Sequence, residues 1–206
     1  SDNCSIETIT LNKSTFDCGD IDSTNTVFMT VKDSAGNSTI TSANVKVLDT
    51  TKPVAYSQDT TVYLDASGNI TINASFIDSA SFDNCTHTDS LSVSTFTCSD
   101  TGANSVTLYI KDLSGNIDSS TATVTVLDTI VPVLTTKSET VYLDANGSVT
   151  ILDSDVVLSN VEACKDTVIV TPRAFGCDSI GFRTVEVISR DQSGNADTTS
   201  AVVNVV

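Results

Sequence analysis

The stretch Val106-Thr107-Leu108-Tyr109-Ile110, followed directly by Lys111-Asp112-Leu113-Ser114-Gly115-Asn116, sets the pattern of the chain. Every second residue of its first half is apolar, which puts the apolar side chains on one face of an extended strand. The Ser-Gly-Asn end supplies the small residues that a tight hairpin turn needs. Ala122-Thr123-Val124-Thr125-Val126 then resumes the alternation. The sequence therefore predicts two antiparallel strands joined by a turn.

The same phrases recur along the chain at a constant spacing. Lys32-Asp33-Ser34-Ala35-Gly36-Asn37 and Arg190-Asp191-Gln192-Ser193-Gly194-Asn195 are copies of the turn, 79 positions before and after it. The phrase Tyr63-Leu64-Asp65-Ala66-Ser67-Gly68-Asn69 likewise returns 79 positions later as Tyr142-Leu143-Asp144-Ala145-Asn146-Gly147-Ser148. Tandem copies of one unit predict an array that works by reach and repeated surface rather than by a single catalytic centre.

A period of this length suits a small domain, and it divides the chain into three parts. We predict a partial repeat at 1–49, which matches only the later part of the unit, and full repeats at 50–128 and 129–206. On this basis we expect that the chain begins inside a repeat or that the missing part of its first repeat was removed. Each unit can bury only a modest core, so an internal staple would help to stabilise it.

The fold class follows from the number and spacing of short strands. Strands are predicted near 60–65, 69–73, 91–97, 104–111 and 119–127, with one or two shorter ones between them. Six or seven short antiparallel strands in about 79 residues predict an all-β protein of tandem immunoglobulin-like β-sandwich repeats. A short helical turn is predicted in Ile151–Leu158.

The connectors between repeats are short. Each runs from an aspartate to a proline, over Asp49–Pro53 and over Asp128–Pro132. A five-residue connector that contains a proline leaves little freedom between neighbours, so we expect the repeats to form a stiff, extended rod in which each repeat has its neighbours as partners.

The net charge of the chain limits the classes of molecule that it can bind. Twenty-six acidic and 10 basic residues give a net charge of −16, which would repel nucleic acid phosphates. Divalent cations and basic surfaces remain compatible, and so does a role of the charge in solubility alone. No apolar run is long enough to span a membrane, so no membrane insertion is predicted.

Six cysteines fall as one pair in each repeat: Cys4 and Cys18, Cys85 and Cys98, Cys164 and Cys177. An even count in phase with the repeat predicts three short disulfides within repeats. In the chain-entropy model such a loop contributes roughly 3 kcal/mol. Two cysteines without a repeated histidine cannot complete a zinc site. Oxidised cysteines predict an extracellular protein, on a cell surface or in a secreted fibre.

Acidic loops are the candidate metal sites. Calcium prefers carboxylate and amide oxygens on such loops, whereas the alternative is that these residues only form turns, which favour Asp and Asn without a metal. The candidates in the loops are Asp33, Asn37, Asp65, Asp112, Asn116, Asp144, Asp191 and Asn195.

Asp49 and Asp128 are the sharper calcium candidates, because they lie in the connectors between repeats. A neighbouring loop, such as that of Asp112 or Asp191, could lend further ligands to them. The alternative is that each aspartate ends a strand and starts a turn. The acids that precede the first cysteine of each repeat, such as Asp83, are interpreted as turn residues, since the third copy has Glu162-Ala163 in place of Asp-Asn.

The sequence offers little for an enzyme. His87 is the single histidine and has no counterpart in the other copies, and we expect it to be exposed. No phosphate loop, zinc signature or catalytic triad is present, so we predict a non-enzymatic protein. Tyr63 and Tyr142 correspond across repeats and are expected to pack in strands.

The ordered set of phrases resembles the tandem repeats of giant Bacteroidetes cell-surface adhesins of the SprB-like gliding-motility type and, more distantly, hyalin-type immunoglobulin-like modules. The residues that carry the resemblance are the phrases Asp-Asn-Cys, Phe16-Asp17-Cys18, Val-Lys-Asp-x-x-Gly-Asn, Val-Leu-Asp-Thr-x-x-Pro and Tyr-Leu-Asp-Ala-x-Gly. The resemblance implies a filament exported by type IX secretion that holds a substratum or polysaccharide during gliding.

Two functions are therefore expected from the sequence. The first is a structural stalk that projects an adhesive tip, with Ca²⁺ as a stiffener. The second is a glycan- or surface-binding module in which each repeat binds weakly and the array gains by avidity.

Overall fold

A computed structural model of the chain describes residues 5–164 and 166–206. Strands dominate these residues and the helical segments are single turns, so the predicted all-β class is confirmed. Two compact units are present. One contains the residues up to Gln58 together with 77–92 and 107–122, and the other contains 59–76, 93–106 and 123–206. The units cut across the 50–128 repeat, and the repeat boundaries stay a prediction from the sequence.

The first three strands belong to the partial repeat. They are β1 (Ile6–Leu11), β2 (Asn25–Asp33) and β3 (Ser38–Val45), and they form one antiparallel sheet in the order β1-β2-β3. All six residues of β1 are exposed.

The 50–128 repeat contributes six strands. They are β4 (Thr60–Tyr63), β5 (Asn69–Thr71), β6 (His87–Leu91), β7 (Thr95–Thr97), β8 (Gly102–Asp112) and β9 (Ile117–Leu127). One sheet has the order β4-β9-β8-β6 and the other pairs β5 with β7. The period-2 pattern is confirmed, because Val106, Leu108 and Ile110 of β8 are each 0% exposed.

One pairing in each full repeat differs from the predicted antiparallel arrangement. β4 runs parallel to β9, whereas β6 and β8 are antiparallel. The two parallel strands lie far apart in the sequence, so no hairpin turn dictates their relative direction. β4 covers the edge of β9 that β8 leaves free, which removes an unpaired strand edge.

The described residues of the 129–206 repeat contain eight strands and one α-helical turn. They are β10 (Val133–Thr136), β11 (Glu139–Val141), β12 (Ser148–Thr150), α1 (Asp153–Val156), β13 (Val157–Val161), β14 (Asp166–Thr171), β15 (Ala174–Gly176), β16 (Gly181–Asp191) and β17 (Ala196–Val205). The predicted helical turn is therefore confirmed as α1. In the earlier repeat, isolated bridges Val54–Phe82 and Ser57–Asp78 take the place of the β10–β13 pair.

Short 3-10 turns follow the second cysteine of every repeat, and a further one corresponds to α1. The four turns span Cys18–Asp20, Ala74–Phe76, Cys98–Asp100 and Cys177–Ser179.

The core of the 129–206 repeat shows the sandwich directly. The sheet β11-β17-β16-β14 faces the pairs β10–β13 and β12–β15 across one apolar cluster. Both layers contribute to it, with Val185, Val187 and Val203 from one side and Leu134 and Phe175 from the other. The predicted immunoglobulin-like β-sandwich is confirmed, with the apolar residues of alternate strand positions turned inward.

Among the residues that the structure describes, no helix has both the length and the apolar character that a membrane span requires.

Truncation of the core in the last repeat is expected to be costly. Ile151 is 0% exposed within the cluster, whereas its neighbour Leu152 is 62% exposed. We expect Ile151→Ala to lower the free energy of unfolding by about 2–5 kcal/mol, because it leaves a cavity in a packed core. Leu152→Ala should change it by no more than about 0.5 kcal/mol. Urea unfolding of both variants checks this, and equal losses would contradict the assigned core.

Candidate functional site

The disulfides join consecutive repeats. Cys18 of the partial repeat bonds Cys85 of the next, and Cys98 bonds Cys164 of the one after, with Cα–Cα distances of 5.7 and 5.4 Å. The predicted pairing within repeats is therefore wrong. Cys4 lies outside the described residues, and among the described cysteines Cys177 alone is free, with its side chain exposed.

The reason is the placement of the two cysteines in different sheets. Cys85 lies just before β6, which belongs to the four-stranded sheet with β8. Cys98 follows β7, which pairs with β5 in the other sheet. The short segment between the two cysteines thus carries the chain from one sheet to another, and it does not form a local loop. A disulfide needs Cα atoms within about 7 Å, and each cysteine finds that partner in a neighbouring repeat.

The pairing between repeats encloses long loops. The bridges span 67 and 66 residues of sequence. Because the entropy lost by the unfolded chain grows with loop length, each bridge is worth about 4 kcal/mol in the chain-entropy model, more than the short loop within a repeat would give.

The repeated Tyr-Leu-Asp-Ala-x-Gly phrase lies against the second cysteine of its own repeat. Gly68 has φ +73°, and a Cβ added there would lie 2.6 Å from the Sγ of Cys98. Gly147 has the same φ, and a Cβ there would lie 2.7 Å from the Sγ of Cys177. Both the backbone conformation and the close approach to sulfur require glycine at this position.

The Asp-x-x-Gly-Asn loops form one hydrogen-bonded turn in all three copies. In the middle copy, the backbone N–H of Asn116 donates to Oδ1 of Asp112 at 2.7 Å, and its side-chain amide donates to Oδ2 at 2.7 Å. The same pair of bonds joins Asn37 to Asp33 and Asn195 to Asp191. The turn interpretation of these loops thus accounts for both carboxylate oxygens of each aspartate.

These bonds also set the acidity of the aspartates. The side-chain amide of Asn37 is the main cause that lowers the pKa of Asp33 below its ordinary value, with backbone N–H groups adding to it. Burial raises the pKa of Asp112, but hydrogen bonds from Asn116 and from the turn backbone outweigh it, and the net shift is downward. Both carboxylates are therefore held ionised.

The first junction, which we define as Asp49–Pro53 with Asp83 and the Asp112 turn, lies within the first compact unit. The amide of Asn116 donates to the backbone carbonyls of Asp49 and Thr51, at 3.1 and 3.2 Å. The Asp49 carboxylate accepts from the N–H of Thr51 at 2.9 Å and from the amide of Asn84 at 2.9 Å. The turn of one repeat therefore holds the connector that enters that repeat, as the sequence suggested for Asp112.

The second junction, defined as Asp128–Pro132 with Glu162 and the Asp191 turn, lies within the second unit. Asn195 donates to the carbonyl of Asp128 at 3.2 Å, and the N–H of Ile130 donates to Oδ1 of Asp128 at 3.0 Å. The arrangement of the first junction is thus repeated on residues 79 positions later.

A compensating change distinguishes the two junctions. Asn84 corresponds to Ala163, which has no amide to donate. In its place Ser193 donates to Oδ2 of Asp128 at 3.3 Å. Its counterpart Ser114 has a buried hydroxyl that makes no hydrogen bond within the described residues. The connector carboxylate keeps a donor in each case, although the donor changes.

The acids before the first cysteine of each repeat belong to the junctions. One oxygen of Asp83 accepts from the N–H of Cys85 at 3.0 Å, and one oxygen of Glu162 accepts from the N–H of Cys164 at 2.9 Å. The turn role expected for Asp83 is therefore confirmed, and Glu162 preserves it with a longer side chain. Asp83 and Glu162 occupy the same position in consecutive repeats, and this correspondence is visible in the sequence.

The second oxygen of each of these acids is buried and accepts no hydrogen bond within the described residues. In the first junction, Asp49, Asp83 and Asp112 each place a carboxylate oxygen within 4.8 Å of the others. In the second junction, the corresponding group contains Asp128, Glu162 and the sulfur of Cys164. That sulfur belongs to a disulfide and is not a thiolate, so only two anionic donors remain there.

Three carboxylates that converge on one point fit the oxygen chemistry of Ca²⁺ at the first junction, and the donor set of the second junction is incomplete. Asp49, Asp112 and Asp128 are thus brought to junctions as the sequence suggested, whereas the contribution of Asp83 was missed. Whether any of these residues binds a cation stays a prediction.

The remaining candidate acids lie in exposed hairpin turns. Oδ1 of Asp65 accepts from the N–H groups of Ser67 and Asn69, at 2.8 and 3.1 Å. Oδ1 of Asp144 accepts from the N–H of Ser148 at 2.9 Å. The hydroxyl of Ser67 is the main cause that lowers the pKa of Asp65, and the Ser148 N–H is the main cause that lowers the pKa of Asp144. Their role as metal ligands stays untested.

Two expectations about single side chains are wrong. The His87 side chain is 26% exposed rather than free in solvent, and its Nε2 lies 3.5 Å from Oδ1 of Asp89. Tyr63 and Tyr142 do not pack in the core; they are 56% and 71% exposed. The neighbours of each tyrosine point inward instead: Val62 and Leu64 are each 3% exposed, and Val141 and Leu143 pack against the core of the last repeat.

No protein family and no curated protein matches the chain. Solved structures of similar arrangement include PcdhgB3 EC1-4 at 10% identity and TM-score 0.34, covering 90% of this chain and 58% of that one. They also include human mucin-like protocadherin EC1-2, at 13% identity and TM-score 0.36, covering 74% and 97% respectively. The insect immune protein hemolin is similar at 12% identity and TM-score 0.40, covering 91% and 57%.

The chain spans 58% of the length of the first of these. TM-scores this low do not indicate a shared function. The β-sandwich is evident from the strand pairing and the core of the chain itself.

Loss of the junction amide should destabilise the last repeat. Asn195 is bonded both to Asp191, which is 6% exposed, and to the carbonyl of Asp128. We expect Asn195→Ala to cost about 1–3 kcal/mol, because it removes the side-chain amide that donates to Oδ2 of the buried Asp191 carboxylate and to the carbonyl of Asp128. Asn146→Ala, in an exposed turn, should change stability by no more than about 0.5 kcal/mol. Thermal unfolding of the two variants checks this, and equal melting temperatures would contradict it.

Proposed function

We propose that this chain is part of the structural stalk of a secreted cell-surface adhesin filament, which mediates attachment and serves gliding motility. The observation that carries the proposal is the covalent bond from one repeat to the next at both junctions. A stalk needs successive repeats that cannot separate, and bonds between repeats meet that need.

The polar contacts of the junctions support the same role. Each connector has backbone carbonyls and a carboxylate bound by side chains of the repeat that follows it. These contacts restrain the connector beyond the restriction that its proline already imposes. In the proposal, these contacts limit the freedom of each connector.

The compartment and charge agree with a surface filament. Disulfides persist outside the reducing cytosol. A net charge of −16 keeps copies of a long polymer apart and soluble. The resemblance to giant Bacteroidetes adhesins supports export by type IX secretion and a role in gliding, with a polysaccharide or substratum as the partner of the whole filament.

Exposed tyrosines favour a second candidate function. Tyr63 and Tyr142 occupy equivalent positions in consecutive repeats and are largely exposed. Exposed aromatic rings are suited to stack on sugar rings, so each repeat would offer one weak site and the array would gain by avidity.

A glycan array probed with the oxidised chain, displayed in many copies on beads, separates the two candidates. The stalk proposal expects no binding above that of beads carrying Tyr63→Ser/Tyr142→Ser protein, because the repeats only project another part of the filament. Glycan binding that the double variant loses would overturn the stalk in favour of the binding module. Tyr56→Ser, which alters an exposed tyrosine outside the repeated pair, is the matched control.

Calcium is proposed as a stiffener of the first junction. Asp49, Asp83 and Asp112 would hold the ion through carboxylate oxygens, and the ion would supply the counter-charge that the buried second oxygen of Asp83 lacks. Cation binding there would lower the repulsion among three acids that meet at one connector.

Calcium binding to the folded chain should raise its stability. At 100 times the dissociation constant, a ligand specific for the folded state adds about 2.7 kcal/mol. We expect thermal unfolding to shift upward in Ca²⁺ relative to chelator, and Asp83→Asn to abolish the shift. Asp65→Asn, in an exposed turn, should keep it. The absence of a shift in the unaltered chain would return all these acids to the role of turn residues.

A further inference from the structure

The two disulfides determine which parts of the chain would carry a pull. A force applied to the two ends follows the shortest covalent path, and each bridge provides a shorter path than the backbone that it encloses. The bridge Cys18–Cys85 bypasses 67 residues, and the bridge Cys98–Cys164 bypasses 66. The enclosed residues cannot be stretched out while the bridges are intact.

We infer that the bridges make the array nearly inextensible under force. In each period, only the segment between the two cysteines of one repeat can lengthen. In the middle repeat this is the segment from Cys85 to Cys98. Fully extended, it spans at most about 45 Å, whereas a whole repeat of about 79 residues spans about 270 Å. The inference rests on the proposed stalk only for its biological use.

The pairing between repeats is what produces this effect. A bridge within the repeat, from Cys85 to Cys98, would shield only that short segment and leave the much longer remainder of the period free to extend. In the observed pairing, the long remainder of the period is enclosed by a bridge and only the short segment can extend. The same cysteines at the same positions thus give an extensible or an inextensible chain, according to the partner that each one takes.

The segment that remains under load has defined contacts. It contains β6, which pairs with β8 through five residue pairs, and β7, which pairs with β5 through three. The long central strands β8 and β9 and the connector with its prolyl residue Pro132 lie inside the span that the second bridge encloses. In the middle repeat the load therefore falls on short strands, and β8 and β9 are shielded from it.

The third repeat has the same local environment at its second cysteine. Gly147 approaches Cys177 as Gly68 approaches Cys98, with added Cβ atoms at 2.7 and 2.6 Å from sulfur. The position that forms a bridge in the two earlier copies is thus built in the same way in the last one, although its thiol is free in this chain.

Force spectroscopy on the whole chain, held by handles at its two ends, tests the inference. The variant Cys4→Ser/Cys177→Ser serves as the background, so that neither position can form a bond with another molecule. Of the 205 peptide steps in the chain, the bridges bypass 67 and 66, and 72 remain. The total extended length should therefore be about 250 Å when oxidised and about 720 Å after reduction by dithiothreitol, nearly a threefold change.

Removal of one bridge gives a sharper readout. In the same background, Cys98→Ser/Cys164→Ser should lengthen the oxidised chain by about 230 Å, and Cys18→Ser/Cys85→Ser by nearly the same amount. Peptide mapping without reductant confirms which bonds are present in each sample. A chain whose length changes by about 45 Å or less on reduction would overturn the inference. The stalk proposal itself is judged by the glycan array, so the two can fail separately.

Discussion

The bond between the second cysteine of one repeat and the first cysteine of the next is the constraint on which the other features depend. It holds the Cα atoms of two cysteines from consecutive repeats 5.7 Å apart in one bridge and 5.4 Å apart in the other. The hairpin glycine beside the second cysteine does not depend on the bond, because Gly147 approaches the free Cys177 as Gly68 approaches Cys98. The bond also brings the acids that precede each first cysteine to the connector.

The chemistry of the junctions follows from this crowding of acids. Carboxylates that meet at low exposure repel one another unless donors or cations neutralise them. The chain supplies amide and hydroxyl donors, and Asn116 and Asn195 each bind both a turn aspartate and a connector carbonyl. The exchange of Asn84 for Ala163 is balanced by Ser193, which shows that the connector carboxylate requires a donor rather than one particular residue.

A bond between consecutive sequence repeats couples the stability of each repeat to that of its neighbour. A staple within each repeat would stabilise that repeat alone, whereas a staple between repeats restrains both partners and encloses the connector. The enclosed loops are about five times longer than the spacing within a repeat, so each bond restricts the unfolded chain more strongly. In the proposed stalk, these bonds would limit how far force can extend the backbone.

The sequence by itself determined the local structure. Alternating apolar residues specified β8 and β9, the Asp-x-x-Gly-Asn phrase specified a turn, and Ile151–Leu158 specified the helical turn α1, because these features depend on residues that are close in sequence. Asp49 and Asp128 were also recognised as junction residues from their position before a proline.

The tertiary structure alone decided the partners of the cysteines, the parallel pairing of β4 with β9 and the exposure of Tyr63 and Tyr142. Each of these depends on which distant segments meet across sheets, and the period of the sequence is the same for either cysteine pairing. The short spacing within each cysteine pair suggested a local loop, but the two cysteines belong to different sheets, and only the folded chain shows that each lies nearest to a cysteine of the adjacent repeat.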